Sequence, residues 1–492
     1  MSELPVLSKS VYEKKSKKIK IMQFGEGNFL RAFIDWMIQK MNDSGIYDGH
    51  VVVVQPLPNG RIEDLKKQDG LYTLILQGIN EKKEAVRLSS VIDVLDDFVN
   101  PYLQYDKYLE YASSKDLEVI VSNTTEAGIC FDERDVSINL EHETPFSYPG
   151  KLLALLKRRF DVLGKDYGLA IVPCELIDDN GDKLHLVLDQ LIEKRKMDKA
   201  FKEYVDSSCH FTSTLVDRIV PGFPRDEFSS LCSQFGYVDN NMVKGEYFHL
   251  YVLKEEKFVQ EKFPVDKVGL HAIYVPDVHP YKQRKVRILN GTHTALVPVS
   301  YLSGYDEVRQ SLLVDEIHRF IVSMMEKEIV PTVTTKDADE FAADVLQRFL
   351  NPYVHHKLMS IALNSLSKFK ERDLPTMLDD VKKGIVPHHM CFAFASLLKF
   401  YDGYRLVDGK REEIALQDNP EFISFMRKAW DSYYDDKDAS KFVLDVFRNS
   451  SIWGMDLSGE KEIYDDVVRW LSLILESGSQ MDAIHEFLKQ YE

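Results

Sequence analysis

The feature that most narrows the fold is IKIMQFGEGNFLRAFIDWMIQKMNDSGIYDGHVVVVQ, residues 19–55. IKIMQF (19–24) and HVVVVQ (50–55) are short, largely apolar runs of strand length. Between them Phe29, Leu30, Phe33, Ile34, Met37, Ile38 and Met41 recur at helical spacing. Strand, helix, strand in this order is a βαβ unit, which requires a parallel pair and a right-handed crossover.

The turn that leaves the first strand is FGEGNFLRAF (24–33). Gly25 and Gly27 let the chain turn sharply and let backbone approach a ligand. A helix starting near Asn28 points free N–H groups and its positive dipole end at the same spot. A dinucleotide pyrophosphate needs that arrangement. Only two of the three fingerprint glycines are present, because Leu30 stands in the third place. The expected contacts run through Ile21, Met22, Gln23, Phe24, Gly25, Glu26, Gly27, Asn28, Phe29, Leu30, Arg31 and Ala32. Arg31 either adds a cation near the phosphates or faces solvent. The tip of the second strand, Gln55 to Arg61, has no carboxylate to grip a ribose 2′-hydroxyl, so Gln55 or Asn59 takes that place and Arg61 keeps NADP open. SNTTEAGI puts Asn123 and Thr124 at a strand's carboxyl end, where open α/β sheets bind ligands.

LYTLILQ (71–77), LEVIVSN (117–123) and GLAIVPC (168–174) also read as strands. Beyond about residue 280 helical patterns dominate: 308–326, 337–350, 354–370, 388–401, 419–434, 438–449 and 460–477. YDGYRLVDGK (401–410) reads as a turn. The expected architecture is an α/β Rossmann-type N-terminal domain over 1–278 and a mostly α-helical C-terminal domain over 279–492.

At the start of the second part lies KVRILNGTHTALVPVSYL (285–302). Lys285, Asn290 and His293 stand in a run otherwise fit for a core, and burying such groups is costly unless they have partners. They are satisfied core groups or they meet a substrate. On an α-helix, with Lys285 at 0°, His293 falls at about 80° and Asn290 at about 140°, one broad face.

Sixty-two basic against 79 acidic residues give a net charge of −17, which argues against a broad nucleic-acid surface. The cluster KKSKKIK (14–20) reads as a solvated lead-in. No apolar run approaches the roughly 20 residues that span a bilayer, and MSELPVLSKS lacks a signal-peptide core. Cys130, Cys174, Cys209, Cys232 and Cys391 are scattered and odd in number, which suits a reducing cytoplasm rather than a disulfide framework. The pairs His355–His356 and His388–His389 invite a metal reading, but adjacent histidines on a helix diverge and no HExxH is present, so no metal is expected.

FGEGNFLRAF, VSNTTEAGI, STLVDRIVPG (213–222), KVRILNGTH and RFLNPYVHHKLMSIALNSLSK (348–368) occur in an order that resembles the mannitol dehydrogenase family, long-chain polyol and uronate dehydrogenases that use no metal. QFGEGNFLRAF, VVVVQPLPNG, CELIDDNG and LNSLSKFKER resemble its uronate branch. The resemblance implies NAD as cofactor, a Rossmann-type domain followed by a helical one, and a hexuronate or aldonate as small-molecule substrate. It places Lys285 as general acid/base, Asn290 and His293 as groups that polarise the reacting oxygen, Asp217 on the nicotinamide side, and Lys368 at the substrate. Leu176, Ser360 and Lys282 depart from the polyol members, and Gln55 replaces the aspartate that sets their NAD preference.

Lysine needs help to cycle protons at neutral pH, and Lys282, Arg284 or Arg287 would lower its proton affinity. His356, Ser360, Asn364 and Lys368 recur every four residues as a polar stripe, solvated or facing substrate. In the second case Lys368, with Arg372 one turn on, suits a substrate carboxylate. A monomer or small homo-oligomer is expected, without nucleic-acid or membrane partners. The other class to weigh is a silent dinucleotide-binding regulator, against which the intact Lys285, Asn290 and His293 set speaks.

Overall fold

The computed structural model describes residues 4–125, 127–407 and 409–491. The chain divides into two compact units, one running to Val278 and the other starting at His279.

In the first unit six parallel strands form one sheet, in the order Leu95–Val99, His50–Val54 (β2), Ile19–Phe24 (β1), Val119–Ser122, Ala170–Pro173 and His210–Phe211. Numbered along these six, that order is 3-2-1-4-5-6, the doubly wound arrangement expected of a Rossmann-type domain. Helix α1, Asn28–Asp43, joins β1 to β2 as the periodicity predicts. The apolar runs have a simple cause. Ile21, Val51, Val53, Val119, Val121 and Val172 pack with Phe33, Ile34 and Met37 of α1 on one face. Met22, Phe24, Val52, Val54, Ile120 and Ile171 pack with Leu152 and Leu155 of the helix Tyr148–Leu163 on the other. A strand covered on both faces has no polar side to show.

The strand expected at 71–77 forms as Tyr72–Ile79, in a separate three-stranded sheet with Ala85–Ile92 and Val243–Glu246. One expectation needs correcting in this unit. The basic lead-in is not wholly solvated, because the Lys14 side chain is buried and pairs with Asp96 at 3.2 Å while donating to the Asp69 carbonyl. Lys17 and Lys18 remain outside, on Asp48 and Asp116.

The second unit is helical, with one small hairpin, Tyr404–Val407 and Lys410–Glu413, around the expected turn; Asp408 of that turn lies outside the described residues. The helix expected over 308–326 is divided into Val308–Leu312 and Asp315–Met324. The one expected over 354–370 is broken. Leu358–Ile361 is a single turn, Asn364 is left-handed (φ 56°), and Ser365–Arg372 starts anew. Asparagine tolerates that conformation, so one residue resets the helix. No helix among the described residues is long and apolar enough to cross a membrane.

One buried acid makes the first unit sensitive to pH. Asp35, on α1, is fully buried and accepts from the Tyr72 hydroxyl at 3.0 Å. Burial pushes its carboxyl up to about 7, against the pull of Tyr72 and Arg31. The folded chain therefore holds a proton that the unfolded chain has released above about pH 4, and stability falls as pH rises from there through 7. Asp35→Asn is expected to gain ~1–4 kcal/mol over wild type at pH 8 and to lose that advantage towards pH 4, read from urea midpoints. An equal difference at both pH values would refute the assignment.

Candidate active site

The register of the parallel sheet builds the candidate cofactor site of the first unit. Phe24 pairs with Val54 and with Ser122, and Ser122 pairs with Pro173, so four strands end level. Gly25, Gln55, Asn123 and Cys174 leave that edge side by side, each N–H bonded to the neighbouring strand. Strand order reverses between β1 and Val119–Ser122, the switch point at which open α/β sheets bind ligands.

Gly25 has φ +122°, and a Cβ there would lie 3.2 Å from the Asn123 carbonyl, so only glycine is comfortable. A Cβ on Gly27 would meet nothing within 4 Å, and no side chain caps the first turn of α1, which holds no acidic residue. The free N–H groups of that turn and the open approach over Gly27 fit a dinucleotide pyrophosphate. Ile21, Met22, Gln23, Phe24, Leu30 and Ala32 are buried beneath the turn as its foundation, while Glu26 and Phe29 are half-exposed and Asn28 is exposed.

Arg31 is neither a phosphate cation nor solvated. It is buried, donates to Asn28 Oδ1 at 2.7 Å and to the Asn241 carbonyl, and lies over the Tyr72 ring. Its use is to hold Asn28. The Gln55 amide donates to the Leu57 and Pro58 carbonyls and shapes its own loop. Glu26 ties that loop to the glycine turn by accepting the Arg61 N–H at 3.1 Å. Asp217 ends the strand Thr214–Asp217, buried and paired across from Leu250. The chain that follows returns to the first turn, where a Cβ on Gly222 would strike the Asn28 amide at 2.5 Å.

Sequence reading missed Glu175, which stood unremarked inside CELID. It is 2 % exposed and accepts from the Thr124 N–H at 3.0 Å, the Thr124 hydroxyl at 2.9 Å and the Ser122 hydroxyl at 3.1 Å. Asn123 donates to the Cys174 carbonyl at 2.7 Å. The loop carrying Asn123 and Thr124 is thus fixed from below, and Thr125 sits at φ 90°, a strained conformation for a β-branched residue. Only the level strand ends bring positions 122–124 and 175 together, so no local pattern could have announced the pair.

In the second unit, Lys285–Gly291 is a π-helical segment set between helices His279–Arg284 and Thr292–Leu302. A π turn bonds i to i+5, one residue more than an α turn, and such segments recur at functional sites. Angles laid out on an α-helix therefore do not hold. Asn290 lies five residues from Lys285, the span of one π hydrogen bond, and the wider winding brings the two closer to one face than the α-helical angle of about 140°. Both are half-buried, and His293 is buried one turn on. The His293 ring stacks on Phe349 with centroids 4.2 Å apart and meets the His356 ring edge to face at 5.1 Å.

Arg284 and Arg287, expected beside Lys285 as bare charges, are instead buried against the core. Arg284 pairs with Asp337 and lies over Phe341, and Arg287 pairs with Asp379 at 2.6 Å. Their charges are compensated. The polar stripe also fails as a stripe, since the break at Asn364 leaves Ser360 and Asn364 exposed. Lys368 and Arg372 stay one turn apart on Ser365–Arg372, both half-buried. Arg372 donates to the Thr294 hydroxyl at 3.2 Å, which donates to the Asn290 carbonyl at 2.9 Å. Burial, and then the Arg372 charge, lower the proton affinity of Lys368. Lys368 donates to the Ile361 carbonyl at 2.8 Å, and the carboxyl next to Arg372, Asp373, is fully buried and held well above the usual range by that burial, against the pull of Arg372.

The paired histidines do not converge. His388 binds Asp466 at 2.8 Å and His389 binds Glu328 at 2.6 Å, while His355 binds Glu307 and His356 meets His293. Among the described residues one group of metal-ligand types clusters, His185, Asp189 and Asp206, and the Lys202 ammonium lies 2.7 and 2.6 Å from its two carboxylates.

Residues 19–267 match the mannitol dehydrogenase Rossmann domain and residues 277–475 the mannitol dehydrogenase C-terminal domain. An altronate oxidoreductase of Bacillus subtilis (strain 168) is 39% identical over 478 residues, 96% of each chain. One of Bacteroides thetaiotaomicron is 40% identical over 462 residues, 92% of this chain and 94% of that one. In fold the chain is similar to substrate-free D-sorbitol dehydrogenase, with a TM-score of 0.79 at 21% identity over 97% of this chain and 100% of that one. It is also similar to Pseudomonas fluorescens mannitol 2-dehydrogenase in its complex with NAD and D-mannitol, with a TM-score of 0.66 at 20% identity, covering 99% and 97%. Two family domains in succession and near-complete coverage by relatives at this identity lead to one assignment: the chain belongs to the mannitol dehydrogenase family.

Proposed function

We propose that the protein is an NAD-dependent dehydrogenase that interconverts a ketouronate and its aldonate, D-tagaturonate and D-altronate, without a metal, as a step of hexuronate breakdown. The observation that carries the acidic substrate is the pair Lys368 and Arg372. Two half-buried cations one helical turn apart repel each other, so an anion seated there relieves the repulsion. A neutral polyol gives no such relief. The name altronate oxidoreductase carried by the relatives supports the same substrate.

The glycine turn, the open N-terminus of α1 and the loop fixed by Glu175 suit a nicotinamide dinucleotide, which when bound supplies or takes up the hydride. The chain's own groups handle the oxygen. Lys285 gives its proton to the carbonyl oxygen in reduction and takes it back in oxidation. Asn290 and His293 donate hydrogen bonds as negative charge develops on that oxygen, with His293 held in place by Phe349. Arg372, through Thr294, ties the carboxylate end of the site to the backbone of Asn290.

Lys285→Ala is expected to lose at least about a hundredfold in kcat with NADH binding intact. Near-normal turnover would reject the role. Lys368→Gln and Arg372→Gln should each raise KM for tagaturonate about tenfold and leave fructose reduction unchanged. Equal effects on both sugars would remove the carboxylate assignment. Glu175→Gln should raise the Kd of NADH about tenfold, by fluorescence, at unchanged kcat under saturating coenzyme. The test of the whole reading is a panel of NADH and NADPH against tagaturonate, fructuronate, fructose and fructose phosphate. Preference for fructuronate or the phosphate would move the substrate within the family, and coenzyme binding without turnover of any of them would make the chain a regulator.

A further inference from the structure

His356 stands in the segment 351–357, which carries no helix, and both of its neighbours reach the same carboxylate. His355 Nδ1 lies 3.2 Å from one oxygen of Glu307 and Lys357 Nζ lies 2.7 Å from the other. In extended chain, alternate side chains point to opposite sides. With His355 and Lys357 drawn to Glu307, the side chain between them is turned the other way, and there its ring meets the His293 ring edge to face at 5.1 Å.

Backbone reinforces the hold. The Val308 N–H donates to the His356 carbonyl at 3.0 Å, the Leu358 N–H to the Asp306 carbonyl at 2.9 Å, and Glu307 and Lys357 form an isolated antiparallel bridge. Phe349 covers His293 as well, stacked at 4.2 Å. An imidazole packed by two rings has little freedom to rotate away from its hydrogen-bonding direction.

We propose that His356 is a positioning residue for the His293 ring and that Glu307, gripping the residues on either side of it, is the clamp that aims it. The inference rests on the reading of His293 as a donor to the reacting oxygen. It assigns His356 a different task from the substrate contact expected of it, and it brings in Glu307, a residue outside the reacting groups. Glu307 acts through His356 alone.

The test compares wild type, His293→Ala, His356→Ala, His356→Phe, Glu307→Gln and the double variant Glu307→Gln with His356→Ala, in NADH-dependent reduction of tagaturonate. His356→Ala is expected to lower kcat about tenfold, with the Kd of NADH unchanged. His356→Phe, which keeps a ring against His293 but cannot hydrogen-bond substrate, should return to within about threefold of wild type. Glu307→Gln alone should lower kcat about two- to fivefold, less so in high salt, and add nothing in the His356→Ala background. Full activity of His356→Ala, a phenylalanine no better than alanine, or additive losses in the double variant would each overturn the clamp. If His356→Ala fails to fold, the phenylalanine and Glu307→Gln variants decide the matter. A fully active His293→Ala overturns the active-site reading and the clamp with it, whereas an impaired His293→Ala beside a normal His356→Ala overturns the clamp only.

Discussion

The rest of the first unit depends on the register of one parallel sheet. Because Phe24 is level with Val54 and Ser122, and Ser122 with Pro173, the residues that follow four different strands come out at one edge. Parallel strands are what make this possible, since every carboxyl end then points the same way. The apolar cost is met on both faces by helices, which is why Val51–Val54 can be fully buried. A shift of one residue in β1 would turn every one of its side chains to the opposite face and would part Gly25 from Asn123.

The second unit solves a different problem with a local irregularity. The helix that carries the proposed reacting groups is not uniform: seven residues, Lys285–Gly291, are wound as a π segment. Such winding is less favourable than α and needs support. The core-facing side supplies it, with Arg284 on Asp337 and Arg287 on Asp379 anchoring the segment from behind. Gly291 ends it where a Cβ would approach Asp373 to 3.1 Å. Arg284 and Arg287 are thus used to brace the segment, and the charge proposed to meet a carboxylate belongs to Lys368 and Arg372 on another helix.

Much of this was legible in the chain. The glycine turn, the buried strands, α1 and the change of pattern near residue 280 are local, and periodicity reads them directly. The candidate reacting residues were legible for the same reason, as polar groups standing in an apolar run. What failed had non-local causes. Arg31, Arg284 and Arg287 look like available cations in sequence, but each finds a partner far along the chain, at Asn241, Asp337 and Asp379. Glu175 looks like nothing in particular until Thr124 is folded onto it.

By itself the sequence determined four of the six strands of the parallel sheet, the helix α1 and most helices of the second unit, the family, and the residue types of the proposed chemistry. These follow from backbone preference and burial, which act over a few residues. Only the tertiary structure decided the winding at Lys285–Gly291, the break at Asn364, and the company each charged group keeps. A hydrogen-bond register differing by a single residue, or an ion pair closed across fifty positions, leaves no periodic trace, because its energy is settled between segments that the chain keeps apart until it folds.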